Sequence, residues 1–572
     1  MSISYRLPRS YVGRGAVLGC ISFWLGSVAQ AAAPVLDHVF PSTLAQGSTH
    51  SVTLVGKFDP WPPQFDFQGE GVTFQPSTNS GVVTVQVSPQ ATPGAYILRA
   101  FNAEGVSAPR FLLISTHTPV EEKEPNDDRK TAQAISQLPV ELNGRLEKNG
   151  DVDMYRIHLE AGQTVVAGLD CYTLMSPLDP VLRLRDGRGV QVAWNHDETR
   201  SLDPFLTWTA PTAGDYVLEV FGFVYPADSD LRFSGSAKGV YRLNLSSGPK
   251  LRYTWPLGLG RSGTNRLQIR GWNLGSTLRP AVEIAGKEIP LDQNSYRFSQ
   301  PGLEGVLELP VTEGVERLEV EPNNTVAQAM PLDFPGAVCG DLDGPGDEDR
   351  FRIHGKKGEA LVLDVQSARL GFPLDAWIKM EDRSGKEVAR NDDTFGADPR
   401  LEWSFPEEGE FVVVVGNVLQ RGGVDQCYRL TLQPSRPAWS ATVADPGFIL
   451  EPGKTNEIKV SIQRQGGFQS ALKLMARGLP EGVQALPADV PEKGSEGVLK
   501  LVAAEKAAPM SGAFRIEVED PVSKQVQDAR YSLVSTGENN GVPQGYRRLV
   551  VESLHRLWLT VLSPAAKPVE KK

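Results

Sequence analysis

One block of residues occurs twice in this 572-residue chain, in the same order and at nearly the same spacing. Glu122-Lys123-Glu124-Pro125-Asn126-Asp127 returns as Glu319-Val320-Glu321-Pro322-Asn323-Asn324. Gly150-Asp151-Val152-Asp153-Met154-Tyr155-Arg156-Ile157 returns as Gly346-Asp347-Glu348-Asp349-Arg350-Phe351-Arg352-Ile353. Leu178-Asp179 matches Leu374-Asp375, Asn195-His196-Asp197 matches Asn391-Asp392-Asp393, Trp208 matches Trp403, and Tyr241-Arg242-Leu243 matches Tyr428-Arg429-Leu430. The offset is 197 at Glu124, 196 at Asp151, 195 at Trp208 and 187 at Tyr241. So many matches in register mark a duplication, and whatever one copy folds into, the other must fold into as well. The fall to 187 places a longer loop in the first copy, around Pro226 to Lys238.

Nearly every apolar segment after residue 34 is short and β-branched, as in Ser51-Val52-Thr53-Leu54-Val55 and Phe411-Val412-Val413-Val414-Val415. These runs end at Gly, Pro, Asn or Asp, which is the punctuation of strands and turns. A helical period is hard to find; only Asp128 to Gln137 suits a turn or two. The expected fold class is all-β, a multidomain series of tandem β-sandwiches.

The entry Glu-Pro-Asn, the Gly-Asp-x-Asp-x-aromatic strand and a late Gly-Asp/Glu-aromatic strand (Gly214-Asp215-Tyr216; Gly409-Glu410-Phe411) resemble the bacterial pre-peptidase C-terminal (PPC) domain. The resemblance implies a jelly-roll-like β-sandwich of the kind attached to secreted peptidases and surface proteins. Each copy follows a smaller β segment with Gly47 and Gly56, or Gly263 and Leu267 to Asn273, which resembles the IPT/TIG type of immunoglobulin-like domain. The expected organisation is a signal peptide at 1–31, an IPT/TIG-like domain at 32–116 and a first PPC-like sandwich at 117–248. A short IPT/TIG-like domain at 249–316, a second PPC-like sandwich at 317–435, an immunoglobulin-like domain at 436–536 and a tail at 537–572 complete it.

The signal-peptide reading rests on Arg6, Arg9 and Arg14, the apolar run from Ala16 to Ala29, and Ala29-Gln30-Ala31 as a small-x-small cleavage site. Val17-Leu18-Gly19-Cys20 is a loose lipobox, so a lipoprotein is the alternative. No later segment approaches ~18 uninterrupted apolar residues, so no membrane span is expected in the mature chain. With 58 basic and 69 acidic residues the net charge is −11, which argues against nucleic acid as a partner. The expected location is secreted, periplasmic or on the cell surface.

Calcium takes about six to eight oxygen ligands, so a site needs carboxylates and amides converging from two segments. Glu122, Glu124 and Asn126 alternate along an extended stretch, and Asp151 and Asp153 share one strand face. Glu319, Glu321, Asn323, Asp347 and Asp349 repeat the pattern. Collagen-binding members of the resembled family hold Ca2+ with a Glu-x-Glu-x-Asn-Asp entry. The first copy matches that spelling through Asp127, whereas the second ends in the neutral Asn324. The competing reading is a plain turn. Zinc is disfavoured, because neither motif contains His or Cys.

Asn195-His196-Asp197 and Asn391-Asp392-Asp393 suit turns that cap their own backbone, with a second ion site as the alternative. Cys339 falls on an early strand of the second copy and Cys427 just before its last strand, which can neighbour in a sandwich, and a disulfide between them is expected after secretion, contributing ~4 kcal/mol. No nucleophile elbow, zinc-protease motif or phosphate loop stands out. Trp61, in Asp59-Pro60-Trp61-Pro62-Pro63, and then Trp255 and Trp272 offer rings for a protein or sugar, or plugs for a sandwich end. These observations predict a non-catalytic extracellular or periplasmic binding or structural module, stiffened by Ca2+. Its partner would be an extracellular protein, a polysaccharide or a separate secreted hydrolase. The alternative is an accessory subunit or degenerate relative of a secreted peptidase.

Overall fold

A computed structural model describes residues 32–197, 202–223, 233–275, 281–394, 396–535 and 549–563. The signal-peptide and lipobox readings lie outside the described residues, as does most of the loop around Pro226.

The chain is an all-β series of sandwiches. The two large ones show the duplication strand for strand. In the first, one sheet runs Val120–Glu121, Val140–Arg145, Val240–Ser246, Thr164–Asp170, Phe205–Thr209. In the second, the matching sheet runs Val315–Leu318, Gly336–Asp341, Cys427–Pro434, Ala360–Gln366, Arg400–Ser404. The facing sheets also correspond, with Asp153–Leu159 beside Gly214–Phe223 and Glu348–Gly355 beside Gly409–Asn417. In each copy the entry strand lies parallel to the next strand of its sheet. Alternation explains the strands. Asp153, Tyr155, Ile157 and Leu159 point inward, and Met154, Arg156 and His158 do not. Gly409–Asn417 is covered on both faces and accordingly reads as an unbroken valine run.

The small unit before each large sandwich is itself a two-sheet sandwich. The first has two sheets around Leu36, Leu44, Val83 and Leu112. The second has two three-stranded sheets around Leu259, Leu267 and Leu309, so it owns a separate core despite its length. Because Val315–Leu318 pairs with the second large sandwich, the limit expected at 316 falls inside a strand.

Three expectations need correction. Residues 128–137 form no helix: Asp128 Oδ1 caps Lys130 N (2.6 Å) and Thr131 N (3.2 Å), and Gln133–Ile135 pairs with Tyr155–Ile157. The stretch after 536 is not a mere tail. Leu557–Val561, with all five residues buried, lies between Gly447–Leu450 and Met510–Glu519 in the final sandwich, and Leu549–Leu554 pairs with Tyr531–Ser535. Cys339 and Cys427 are free buried thiols. Cys339 stands opposite Arg429 and Cys427 opposite Asp341, so the two are diagonal across the ladder. Diagonal neighbours lie ~7–8 Å apart, too far for the ~3.8 Å Cβ separation of a disulfide. Each thiol donates elsewhere, Cys339 to Glu316 Oε1 (3.2 Å) and Cys427 to the Val424 carbonyl (3.3 Å).

The first and final units touch. Ile97, Phe111 and Leu113 share an apolar cluster with Leu174, Leu533 and Leu554. Arg556 donates to Asp66 (2.6 Å), and Phe101 packs on Trp558 with centroids 4.8 Å apart.

Candidate metal centres at the entries of the two large sandwiches

Each site is built where the chain leaves the entry strand and crosses the start of Asp153–Leu159 or its counterpart. In the first copy the Glu122 N–H donates to the Asn143 carbonyl (3.0 Å), and Glu122 Oε2 accepts the Arg145 N–H (2.8 Å). Glu124 Oε2 turns the chain by accepting the Asn126 N–H (3.1 Å), and the Asn126 carbonyl accepts the Met154 N–H (3.2 Å). Asp151 Oδ2 accepts the Glu147 N–H (2.5 Å). Glu124, Asp127 and Asp151 each place a carboxylate oxygen within 4.8 Å of the others. Behind them, Glu122 and Asp153 form an inner pair.

The second copy repeats the frame. Glu319 N–H donates to the Cys339 carbonyl (2.9 Å), Glu321 Oε2 accepts the Asn323 N–H (2.9 Å), and the Asn323 carbonyl accepts the Arg350 N–H (3.1 Å). Here the converging oxygens belong to Glu319, Glu321 and Asp349, so the trio sits one step deeper. Asp347 and Asn324 instead line an open acidic cavity of about 500 Å³ with Glu321 and Asp343. The change from Asp127 to Asn324 therefore coincides with a shift from the outer carboxylates to the inner ones.

Burial and neighbouring carboxylates raise Glu122, Asp151, Asp153, Glu319 and Asp349. Burial pushes Glu122 up to about 7. Burial, then its neighbour Asp127, pushes Asp151 up to about 6. Burial and Glu122 hold Asp153 well above the carboxylate range. In the second copy burial, then Asp349, pushes Glu319 up to about 10, and burial takes Asp349 to about 7. Such crowding calls for a proton or a cation.

The first site also holds stranded polar atoms. Asn126 is fully buried with neither its amide oxygen nor its nitrogen hydrogen-bonded, and the buried Asp151 Oδ1 accepts no hydrogen bond, its nearest cation being the exposed Lys148 Nζ, 3.9 Å from it and from Asp127 Oδ2. Buried polar atoms ordinarily find partners, and these lie beside three converging carboxylates. Two ligands across an ion that bonds oxygen at about 2.3–2.6 Å stand some 5 Å apart at most, which matches the observed grouping. An all-oxygen donor set suits a hard divalent cation. In the second copy the Asn323 amide, oriented with its nitrogen towards the carboxylates as their acceptor oxygens require, donates to Glu321 Oε1 (3.1 Å) and Asp349 Oδ1 (3.0 Å).

Sequence reading missed the tyrosines and glycines that complete both frames. Tyr241 Oη donates to Asp153 Oδ2 (2.5 Å) and Tyr428 Oη to Asp349 Oδ2 (2.6 Å). A Cβ on Gly144 would collide with the Tyr241 ring and hydroxyl, and one on Gly340 with Tyr428 and Glu319. All four belong to the duplicated register, so the repeat itself carried the signal. Gly144→Ala is expected to cost about 1–3 kcal/mol through overpacking, read as a lower urea midpoint at unchanged slope. An unchanged midpoint would show that Tyr241 is not held there.

In the Asn-rich loops Asn195 Oδ1 accepts the Phe205 N–H (3.0 Å) and Asn391 Oδ1 accepts the Arg400 N–H (3.3 Å), while Asp179, His196 and Asp197 bring ligand atoms within 4.8 Å of one another, so the first loop also fits the ion-site alternative. His196 Nε2 lies 3.0 Å from Asp179 Oδ1, with Asp197 nearby, but the second copy has Asp392 in place of the histidine. Trp61 packs on Phe58 and donates to the Ser77 carbonyl (2.8 Å), which makes it a sandwich plug.

No family model matches the chain. A protein of Deinococcus radiodurans named as a probable subtilase-type serine protease is 32% identical over 110 residues, 18% of this chain and 15% of that protein. The chain thus matches only about 15% of that relative's length. Among solved structures, the N-terminal eight immunoglobulin domains of Down syndrome cell adhesion molecule isoform 1.30.30 align at 10% identity. That alignment covers 88% of this chain and 72% of the other with a TM-score of 0.13, too low to carry an argument about architecture.

Proposed function

We propose that this chain is a non-catalytic, multidomain β-sandwich module working outside the cytoplasm, with one calcium ion at the entry of each large sandwich. The observation that supports this most is the pairing of three converging carboxylates with the buried, unbonded Asn126 amide in the first copy. Glu124, Asp127 and Asp151 would hold the first ion, and Glu319, Glu321 and Asp349 the second. An ion there would relieve the carboxylate repulsion and tie the entry segment to the sandwich it enters. It would thereby fix the angle between each small sandwich and its large neighbour. The partner is an extracellular protein or polysaccharide. A second reading, an accessory role beside a secreted peptidase, is favoured by the 110-residue match to a protease-named relative.

Calcium titration by calorimetry tests the metal assignment. Two ions per chain are expected, with Kd within the ~0.1–1 mM range of extracellular modules or tighter. Asp151→Asn should remove one and Asp349→Asn the other. No heat at calcium about tenfold above that range would overturn the assignment.

A further inference from the structure

We propose that the junction of the first large, second small and second large sandwiches is a binding site for a neutral oligosaccharide. A cavity of about 620 Å³ lies there, lined from all three units. Ligand sites of ~300–1,000 Å³ favour such domain junctions. This inference rests on reading the chain as a binding module; calcium titration tests that module's metal sites separately.

Aromatic rings form two walls. Trp272 packs on Phe205 with centroids 5.2 Å apart and planes at 40°, and Tyr253 meets Phe372 edge-on at 5.1 Å. The Arg252 guanidinium lies 5.6 Å from both the Tyr253 and Trp272 centroids, holding the two rings beside one another. The rings come from different units yet are braced without a ligand, so the site is preorganised.

The cations lining the cavity are paired, Arg242 and Arg252 within the lining and Lys250 with Glu304 outside it, and Asp203 is held by backbone N–H groups. Arg242 Nε donates to Asp170 Oδ2 (2.7 Å), Arg252 to Asp425 Oδ1 (2.9 Å), and Lys250 lies 3.8 Å from Glu304. Asp203 accepts the Cys171, Tyr172 and Thr173 N–H groups at 2.7, 2.7 and 2.9 Å. A charged ligand would have to break one of these pairs, and a purely apolar one would strip water from them without replacement. A sugar avoids both costs. Its hydroxyls both donate and accept, which suits paired guanidinium and carboxylate groups, and its C–H faces pack on rings. Among the lining strands Thr164–Asp170 and Val240–Ser246 are paired on both sides, whereas Phe205–Thr209 and Lys250–Trp255 lie at sheet edges, so a peptide is the competing occupant and its exclusive binding is one of the outcomes that overturn the proposal.

Binding of cellohexaose, maltohexaose, chitohexaose and mannohexaose to the full mature chain can be followed by tryptophan fluorescence and calorimetry. At least one should bind, and Trp272→Ala should weaken it about 30-fold, as expected for a central aromatic anchor. Thr207→Arg, an exposed position on the rim, should block binding while leaving the urea midpoint unchanged. Trp194→Phe, on an exposed ring outside the cavity, should change nothing. The proposal is overturned if none of the four binds, if Thr207→Arg binds normally, or if only hexagalacturonate or a proline-rich peptide binds.

Discussion

Calcium at about 100 times its Kd is expected to stabilise each large sandwich by ~2.7 kcal/mol, a rise of about 10 °C in its unfolding transition. The size of the response should depend on pH. An acid whose folded pKa lies above its unfolded one keeps its proton longer in the folded chain. The folded state then binds more protons across that interval, and stability falls as pH rises through it. Glu122 spans from 4.5 to about 7, Asp151 from 3.8 to about 6 and Asp349 from 3.8 to about 7. In EDTA the protein should therefore be most stable near the bottom of this window and weaken towards neutrality. Glu122 and Asp153 share this loss, because the two carboxyls interact directly and titrate as a pair. Calcium takes the proton's place, so the loss should be absent in its presence. Asp151→Asn separates this account from general salt effects: it should raise the EDTA midpoint near neutral pH while abolishing the first sandwich's calcium shift. A calcium response that survives in both Asp151→Asn and Asp349→Asn would place the ion elsewhere.

The second large effect concerns the joint between the second small and second large sandwiches. Arg429 and Glu316 are 1% and 0% exposed, with Arg429 Nε donating to Glu316 Oε1 and Nη2 to Oε2, both at 2.8 Å. Nη2 also donates to Thr312 on the last strand of the small sandwich (2.6 Å), and Nη1 to Gln366 (3.1 Å). Glu316→Ala would leave the guanidinium buried without a counter-charge, at a cost of about 3–5 kcal/mol in urea unfolding. Replacing both partners together, as Glu316→Leu with Arg429→Met, should recover most of that, because the desolvation penalty leaves with the charges. A single variant within about 1 kcal/mol of the parent would mean that water reaches the pair. The corresponding Arg242 binds Asp170 of its own sandwich instead, at side-chain exposures of 24% and 23%, so Asp170→Ala should cost less.

The repeat made the large sandwiches legible, because nearly constant spacing over so many residues implies a shared topology, and the two sheet orders agree. The acidic entries were legible for the same reason. What their spelling did not contain was depth: Asp127 and Asn324 sit at matching positions, yet the converging trio moves from Asp151 to Asp349. Nor did it show the Tyr241 and Tyr428 hydroxyls, which come from strands far along the chain. Sequence puts Cys339 on an early strand and Cys427 just before the last one; the structure makes Cys427 the first residue of that strand, paired with the strand of Cys339, but a two-residue offset in register decides a disulfide and is invisible in sequence. Leu557–Val561 was passed over because it is separated from its sheet partners by a stretch without strand signals, and only tertiary pairing recruits it. The aromatic walls of the junction cavity come from separate units, and no local motif records that.

The apolar cluster joining Ile97, Phe111 and Leu113 to Leu533 and Leu554 has a mechanical consequence. Beads on a string carry tension in series, so every linker feels a pull applied between the ends. Here such a pull meets the seam between first and final units first, and the linkers stay slack until it parts. The same seam makes the polypeptide tolerant of a single cut: a protease that severs one linker breaks the covalent path, while the two fragments remain fastened at their other ends.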